Sequence, residues 1–147
     1  MSRPKTAVID DGGPLLGSLL RRAYEELQGH VEAGLGGPVR LPVLGAVGQP
    51  LFEHPEGLRP TQLAAQAGIT KQSVGELIDA MEAAGYLERS RDPLDGRARL
   101  VRLTPLGRKV GSLARQRVRE VEARWAERVG ADRLEALRAT LESIVAG

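Results

Sequence analysis

The chain has 147 residues, enough for one domain with a substantial core, and no cysteine, which excludes disulfides, thiolate metal sites and cysteine-based peroxide sensing. Its 21 Lys and Arg against 19 Asp and Glu leave a formal charge of only +2, so the chain is not a general polycation, and any attraction for a polyanion must come from charge gathered locally.

In chain order, Met1 to Gly13 has Pro, Asp-Asp and Gly-Gly without an apolar run. It is expected to be a loose arm, neither a signal peptide nor a membrane anchor, and no segment approaches a membrane-spanning length. Pro14 to Leu35 predicts a helix with Leu16, Leu19, Leu20, Ala23, Leu27 and Val31 on one stripe, broken by Gly34 to Pro38. Pro42 to His54 predicts a second helix, ending before Pro55-Glu56-Gly57. A short helix over Gln62 to Ala67 is followed by the turn Gly68-Ile69-Thr70, where glycine supplies the permissive backbone of a sharp helix-helix corner. Thr70 caps a further helix from Lys71 to Ala84 whose Val74, Leu77, Ile78 and Met81 form a buried stripe. The opposite face, with Lys71, Gln72, Gly75, Glu76 and Asp79, is left free.

After Gly85, a helix stop, two short strands are predicted at Tyr86 to Ser90 and Arg99 to Leu103. The intervening Arg91 to Arg97 holds Pro and Asp-Gly and predicts an arginine-bearing loop projecting beyond an antiparallel pair. Thr104-Pro105 caps and opens a long helix to Val129, with Val110, Leu113, Val118, Val121, Trp125 and Val129 near every third or fourth position. Gly130 ends it, and a last helix runs from Asp132 to Val145 with Leu134, Leu137, Leu141, Ile144 and Val145 on one side. The fold class is mainly α with a small β-hairpin (α+β): a winged helix-turn-helix, the hairpin being the wing. So many apolar stripes exceed what a reader of this size covers alone, and the helices at the two chain ends are suited to packing against each other and against a second copy.

Between Tyr86 and Lys109 six arginines and one lysine face only Glu88, Asp92 and Asp95, a local excess of four positive charges on an otherwise slightly acidic chain. A basic hairpin on such a body is the electrostatic footprint of a phosphate-backbone contact. In contrast, scattered cations such as Arg133 and Arg138 are expected to be solvated helix faces.

These residues carry a family resemblance. Leu63-Ala64, Gly68-Ile69-Thr70, Ser73-Val74, Leu77, Met81-Glu82, Gly85-Tyr86-Leu87-Glu88-Arg89, Asp92-Pro93, Asp95-Gly96-Arg97, Leu103-Thr104 and Gly107 resemble the multiple antibiotic resistance regulator (MarR) family of bacterial transcription factors. The match is dense over Leu58 to Arg108 and architectural elsewhere. Gly96 departs from it, standing where a second arginine is common, as does Gly75 inside the recognition helix. The resemblance implies one domain over 1–147: a cytoplasmic homodimer joined by helices within 14–36 and 105–147, with the DNA-binding region at 42–104. It also implies a repressor released by a small aromatic or phenolic effector bound between the dimer helices and the reader.

The residues themselves suggest a division of labour on a pseudo-palindromic duplex. Thr70 and Lys71 at the recognition-helix N-terminus would hold phosphate, and Gln72 and Ser73 would meet base edges. Glu76 exchanges with Gln72 if the helix docks rotated by a residue, and Gly75 permits close backbone approach. Arg97, at the wing tip, would enter the minor groove, with Arg99 on a flanking phosphate. Asp95 is either the orienting partner of Arg97 or a plain turn aspartate. Tyr24, His30, Phe52 and Trp125 either meet in the effector crevice or are ordinary packing residues.

His30 and His54 fall in separate helices without ligand-spaced carboxylates, so no metal or other cofactor is expected. No nucleophile arrangement or phosphate loop marks an enzyme. The competing functions are a winged-helix protein-interaction module without DNA binding, which leaves the clustered cations unexplained, and an enzyme's accessory domain, whose catalytic half this chain lacks.

Overall fold

The computed structural model of the chain describes residues 12–37 and 39–147. Up to residue 11 the expected arm lies outside the described residues, as does Pro38. Helix α1 (Leu16–Leu35) closes on Gly36, which takes the left-handed conformation at φ 63°. The stretch predicted as one helix from Pro42 to His54 is helical but not uniform. It comprises α2 (Leu41–Val43), a π-helical turn (Leu44–Gly48) and α3 (Gln49–Glu53). Pro50 explains the difference, since a proline in an α-helix lacks its N–H and presses its ring on the carbonyl four residues back. Widening the turn before it relieves that pressure, and it also divides the stretch between two cores, Leu44 entering one and Val47 and Leu51 the other.

The reader follows as α4 (Pro60–Ala67) and α5 (Lys71–Ala83), joined through Gly68 at φ 64°. Thr70 caps α5, its Oγ1 accepting the Ser73 N–H at 3.1 Å. The stripe expected on α5 is the one observed: Val74, Ile78 and Met81 are buried, with Leu77 packed beside them. Together with Leu63 of α4 they close the larger core over Val47 and Leu51.

The hairpin is longer than predicted, with β1 (Leu87–Asp92) and β2 (Asp95–Leu103) antiparallel and only Pro93-Leu94 between them. Most of the supposed loop is therefore strand. The pairing runs from Leu87 opposite Leu103 to Arg91 opposite Arg99, and Asp92 breaks the register. Leu58 adds a third, one-residue strand, exchanging backbone hydrogen bonds of 3.0 and 2.8 Å with Val101. Gly57 before it holds φ 100°, where a Cβ would stand 2.9 Å from the Val101 carbonyl oxygen.

Two polar joints fix this wing to the rest. At its base, Thr104 caps the long helix α6 (Pro105–Val129) by accepting the Gly107 N–H at 3.0 Å and donates its hydroxyl to the Gly85 carbonyl at 2.6 Å. At its far end, Arg59 donates Nε and Nη2 to Asp92 Oδ2 at 2.8 and 2.5 Å, while Asp92 Oδ1 accepts the Leu94 N–H at 2.8 Å. Asp92 is the buried charged residue of the core. The Leu94 N–H first, and the Arg59 guanidinium second, hold its carboxyl below the usual carboxylate range.

The second, smaller core joins α1 to α6 through Val31, Val39, Leu44 and Ala114. It does not use up the apolar stripes. Val31 is the buried residue of α1, and none of α7 (Ala131–Ala146) is buried. Leu15, Leu16, Leu19 and Leu20 at one chain end and Leu137, Ile144 and Val145 at the other stand exposed. No helix among the described residues is long and apolar enough to cross a membrane.

Because the folded-state pKa of Asp92 lies below its unfolded value, the ionised carboxylate stabilises the protein above the ordinary carboxylate range, and that contribution is lost as pH falls through the folded pKa. Asp92→Asn should lower the urea midpoint at pH 7, and the gap to the parent should begin to close below about pH 4. A gap of equal size at pH 3 and pH 7 would show that the charge does not hold the wing.

Candidate nucleic-acid interface

The exposed face of α5 carries Lys71, Gln72, Ser73 and Glu76, with Thr70 exposed just before it. Lys71 has no ion-pair partner among the described residues. The Gln72 amide donates to Glu76 Oε1 at 3.5 Å, a long bond along the helix that either side chain can leave at little cost. Ser73 is engaged twice by Thr70, through its backbone N–H and by its hydroxyl accepting from Thr70 Oγ1 at 2.9 Å, so it is tied more closely to the cap than the sequence suggested. Gly75 is half-buried, yet a Cβ there would touch nothing within 4 Å. The protein's own packing does not require glycine at that position.

Arginines of the wing divide into two groups. Arg89 is bound to Asp79, at 2.5 Å, and to Glu82, both on α5, and these contacts raise its pKa further. Arg102 donates to Glu88 across the strands at 2.6 Å. Arg91, Arg97 and Arg99 are exposed and lack an ion-pair partner among the described residues. Strand alternation, with Arg91 opposite Arg99, puts these two on one side of the ribbon, and Arg97 falls in the stretch 96–98 that has no partner at the register break. The predicted local excess of charge is thus narrower: of the seven cations Arg89 and Arg102 are paired, and Arg91, Arg97 and Arg99 on the hairpin, with Arg108 and Lys109 at the start of α6, have no ion-pair partner among the described residues.

Arg97 is not at the wing tip as expected. The shorter turn puts Pro93-Leu94 there and leaves Arg97 in β2, three residues past Leu94 at the register break. Asp95 does not pair with the Arg97 guanidinium. Its Oδ1 accepts the Arg97 backbone N–H at 3.0 Å, the geometry of a turn aspartate. The clamp of Arg59 on Asp92 was not foreseen. Its sequence signals are an arginine before the Pro60 helix start and an Asp-Pro turn, and neither reveals that the two lie side by side.

Behind the reader lies a cavity of about 450 Å³ between the π-helical stretch and α6. Tyr86, Met81, Phe52, Arg115 and Arg119 are among the residues that line it. Gly111 lets Phe52 lie against α6, its missing Cβ falling 3.1 Å from the ring, and the Arg115 guanidinium stacks 4.3 Å above the ring centroid. Of the four residues expected to meet in such a crevice, Phe52 alone lines it. Tyr24 is exposed on α1, His30 bonds Glu120 of α6 at 2.7 Å, and Trp125 borders a separate groove between α6 and α7. They lie too far along α1 and α6 to reach the reader, whereas Tyr86 and Arg115, which do line the cavity, were not singled out. The His30 contact lowers the pKa of Glu120. His54 likewise faces a carboxylate, Glu56, at 3.0 Å, and no cluster of three or more potential metal ligands occurs among the described residues.

Comparison with known proteins agrees with this architecture. Residues 38–98 match the profile of the MarR family. The structure is similar to that of CouR from Rhodococcus jostii RHA1 bound to p-coumaroyl-CoA, at 29% identity and a TM-score of 0.72, covering 95% of this chain and 94% of that one. It is also similar to CouR, a transcriptional repressor, bound to a 23-mer DNA duplex, at 29% identity and 0.71, covering 89% and 92%. A MarR-family transcriptional regulator from Rhodococcus sp. RHA1 aligns at 27% identity and 0.71, covering 90% and 96%. A comparison with curated protein sequences finds no match. The helix-turn-helix and the first strand and turn of the latched wing fall within the MarR-family profile that residues 38–98 match, and the likenesses beyond it support a winged-helix, DNA-binding transcriptional regulator of the MarR type.

Proposed function

We propose that the protein is a homodimeric repressor acting in the cytoplasm on a pseudo-palindromic operator, and that a small aromatic or phenolic acid releases it. The observation that carries the DNA-binding geometry is the sorting of the hairpin arginines. Arg89 and Arg102 are neutralised by carboxylates, and Arg91, Arg97 and Arg99 are left unpaired toward the far end of the projecting hairpin. In this reading residues 42–104 form the reader. The exposed ridges at the two chain ends, within 14–36 and 105–147, are covered by a second copy. Two α5 helices then enter successive major grooves about 34 Å apart. Thr70 and Lys71 hold phosphate, Gln72 and Ser73 face base edges with Glu76 beside them, Arg97 lies in the minor groove and Arg99 binds a flanking phosphate. Asp95 shapes the turn that presents Arg97. CouR binds both a duplex and p-coumaroyl-CoA, and the cavity here, mostly apolar and with Arg115 and Arg119 in its lining, suits an aromatic body with an anionic end.

The electrostatic contact is tested by titrating the protein on its own upstream DNA at several salt concentrations. Log K should fall linearly with log salt, at a slope near −0.9 per neutralised phosphate. Arg97→Ala should weaken binding by about 1 to 3 kcal/mol. A flat salt dependence, or an Arg97→Ala variant as tight as the parent, would sink this reading.

Gly75 separates folding from binding. Gly75→Ala should stabilise the fold by up to about 1 kcal/mol, because Ala is the better helix former and the space is open. The same change should weaken operator binding, since the added methyl stands off the DNA. Unchanged affinity in a thermally stabilised variant would remove Gly75 from the interface.

For effector and assembly, a panel of phenolic carboxylic acids should raise the melting temperature and dissociate the duplex, and Arg115→Ala should blunt both responses. Sedimentation should find two chains per particle. A monomer, or no melting shift across the panel, counts against the proposal.

A further inference from the structure

The shortened turn leaves Leu94 as the foremost side chain of the wing. At 93% exposure it is the most exposed of the large hydrophobic residues described, and Pro93 adds a second apolar surface beside it. An isolated exposed leucine is ordinarily unremarkable, but this one is held in place. Its backbone N–H is fixed to buried Asp92, which is clamped in turn by Arg59. The unpaired Arg91, Arg97 and Arg99 stand directly behind it on the strands. A surface that pairs with those cations is a polyanion, and Leu94 reaches it ahead of them.

We infer that Leu94 is a specificity residue of the wing, packing its apolar side chain on the floor of the minor groove and so selecting A·T pairs at the flanks of the site. The inference rests on the DNA-binding geometry proposed above. The minor groove presents acceptors alone at A·T pairs, and G·C pairs add the guanine N2 amino donor, which projects from the floor. An isobutyl group cannot accept from that donor and would strip its water, so a G·C pair opposite Leu94 leaves a polar group unsatisfied. Apolar side chains at minor-groove contacts are a recurrent device among DNA-binding proteins. Arg97, further back, supplies attraction to the groove's negative potential without this discrimination.

Inosine·cytosine pairs make the test specific, because inosine lacks the N2 amino group and so matches A·T in the minor groove while matching G·C in the major groove. The full-length protein, Leu94→Ala and Leu94→Gln are titrated on a duplex selected by the parent from a random pool. Its flanks are rebuilt as A·T, I·C or G·C, and the salt dependence is measured on each. The parent should bind A·T and I·C flanks alike and G·C flanks roughly tenfold more weakly, the scale of one groove mismatch. Leu94→Ala should reduce that gap to within about threefold, and Leu94→Gln, whose amide can accept from guanine N2, should do the same. Neither change should alter the salt slope, since leucine neutralises no phosphate, whereas Arg99→Ala, which removes a phosphate contact, should reduce it by about one unit. A Leu94→Ala variant that keeps the full G·C penalty, or a parent that shows none, overturns the assignment. A parent that selects no duplex from the pool overturns the DNA-binding geometry itself, and this result is distinct from the other two.

Discussion

The joint at Thr104 is the constraint on which the rest of the structure depends. One hydroxyl caps the long helix and reaches back to Gly85, while the Thr104 N–H donates to the Tyr86 carbonyl at 3.0 Å. The backbone that leaves α5 and the backbone that enters α6 are thereby brought together at the base of the hairpin. Gly107 completes the joint, because a Cβ there would collide with the Tyr86 carbonyl oxygen. The Leu-Thr and Gly of the family signature have a plain physical meaning here: they set the direction in which 25 residues of helix leave the reader. Everything that α6 supports, including the cavity wall and the packing of α1, inherits that direction.

The parts of the fold most legible in the sequence were those decided locally. Thr70 and Thr104 caps, the glycine corner at Gly68 and the buried stripe of α5 all appear where side-chain chemistry and helical spacing put them. Proline and register were harder to interpret. Pro50 was visible, but its effect on the preceding turn depends on two cores competing for Leu44 and Val47. In the hairpin, Asp-Gly suggested the turn, but Asp-Pro three residues earlier made it, because the Asp92 carboxylate could be buried against an arginine 33 residues away. Long-range pairs of this kind leave no periodicity.

The same limit applied to the site. The exposed face of α5 followed from its buried face, so Lys71, Gln72, Ser73 and Glu76 could be placed on it from the sequence. Charge on the wing was overcounted, since sequence cannot tell a paired arginine from a free one. Arg89 and Arg102 serve to brace the strands against α5 and each other. The alternative left open for the aromatic residues, a shared crevice or ordinary packing, turned on a related point. Aromatic residues on three different helices were grouped by type, and helix phase and length kept Tyr24, His30 and Trp125 away from Phe52.

The pair of half-exposed Arg59 and buried Asp92 ties the hairpin to the start of α4, and the Thr104 joint ties it to the end of α5 and the start of α6. A ribbon of two strands is marginal when left alone. Anchored at both ends, it has no hinge of its own, and wing and recognition helix are carried as one rigid piece. In the proposed dimer the reader offers no part to loosen, so control falls on the separation and tilt between the two units.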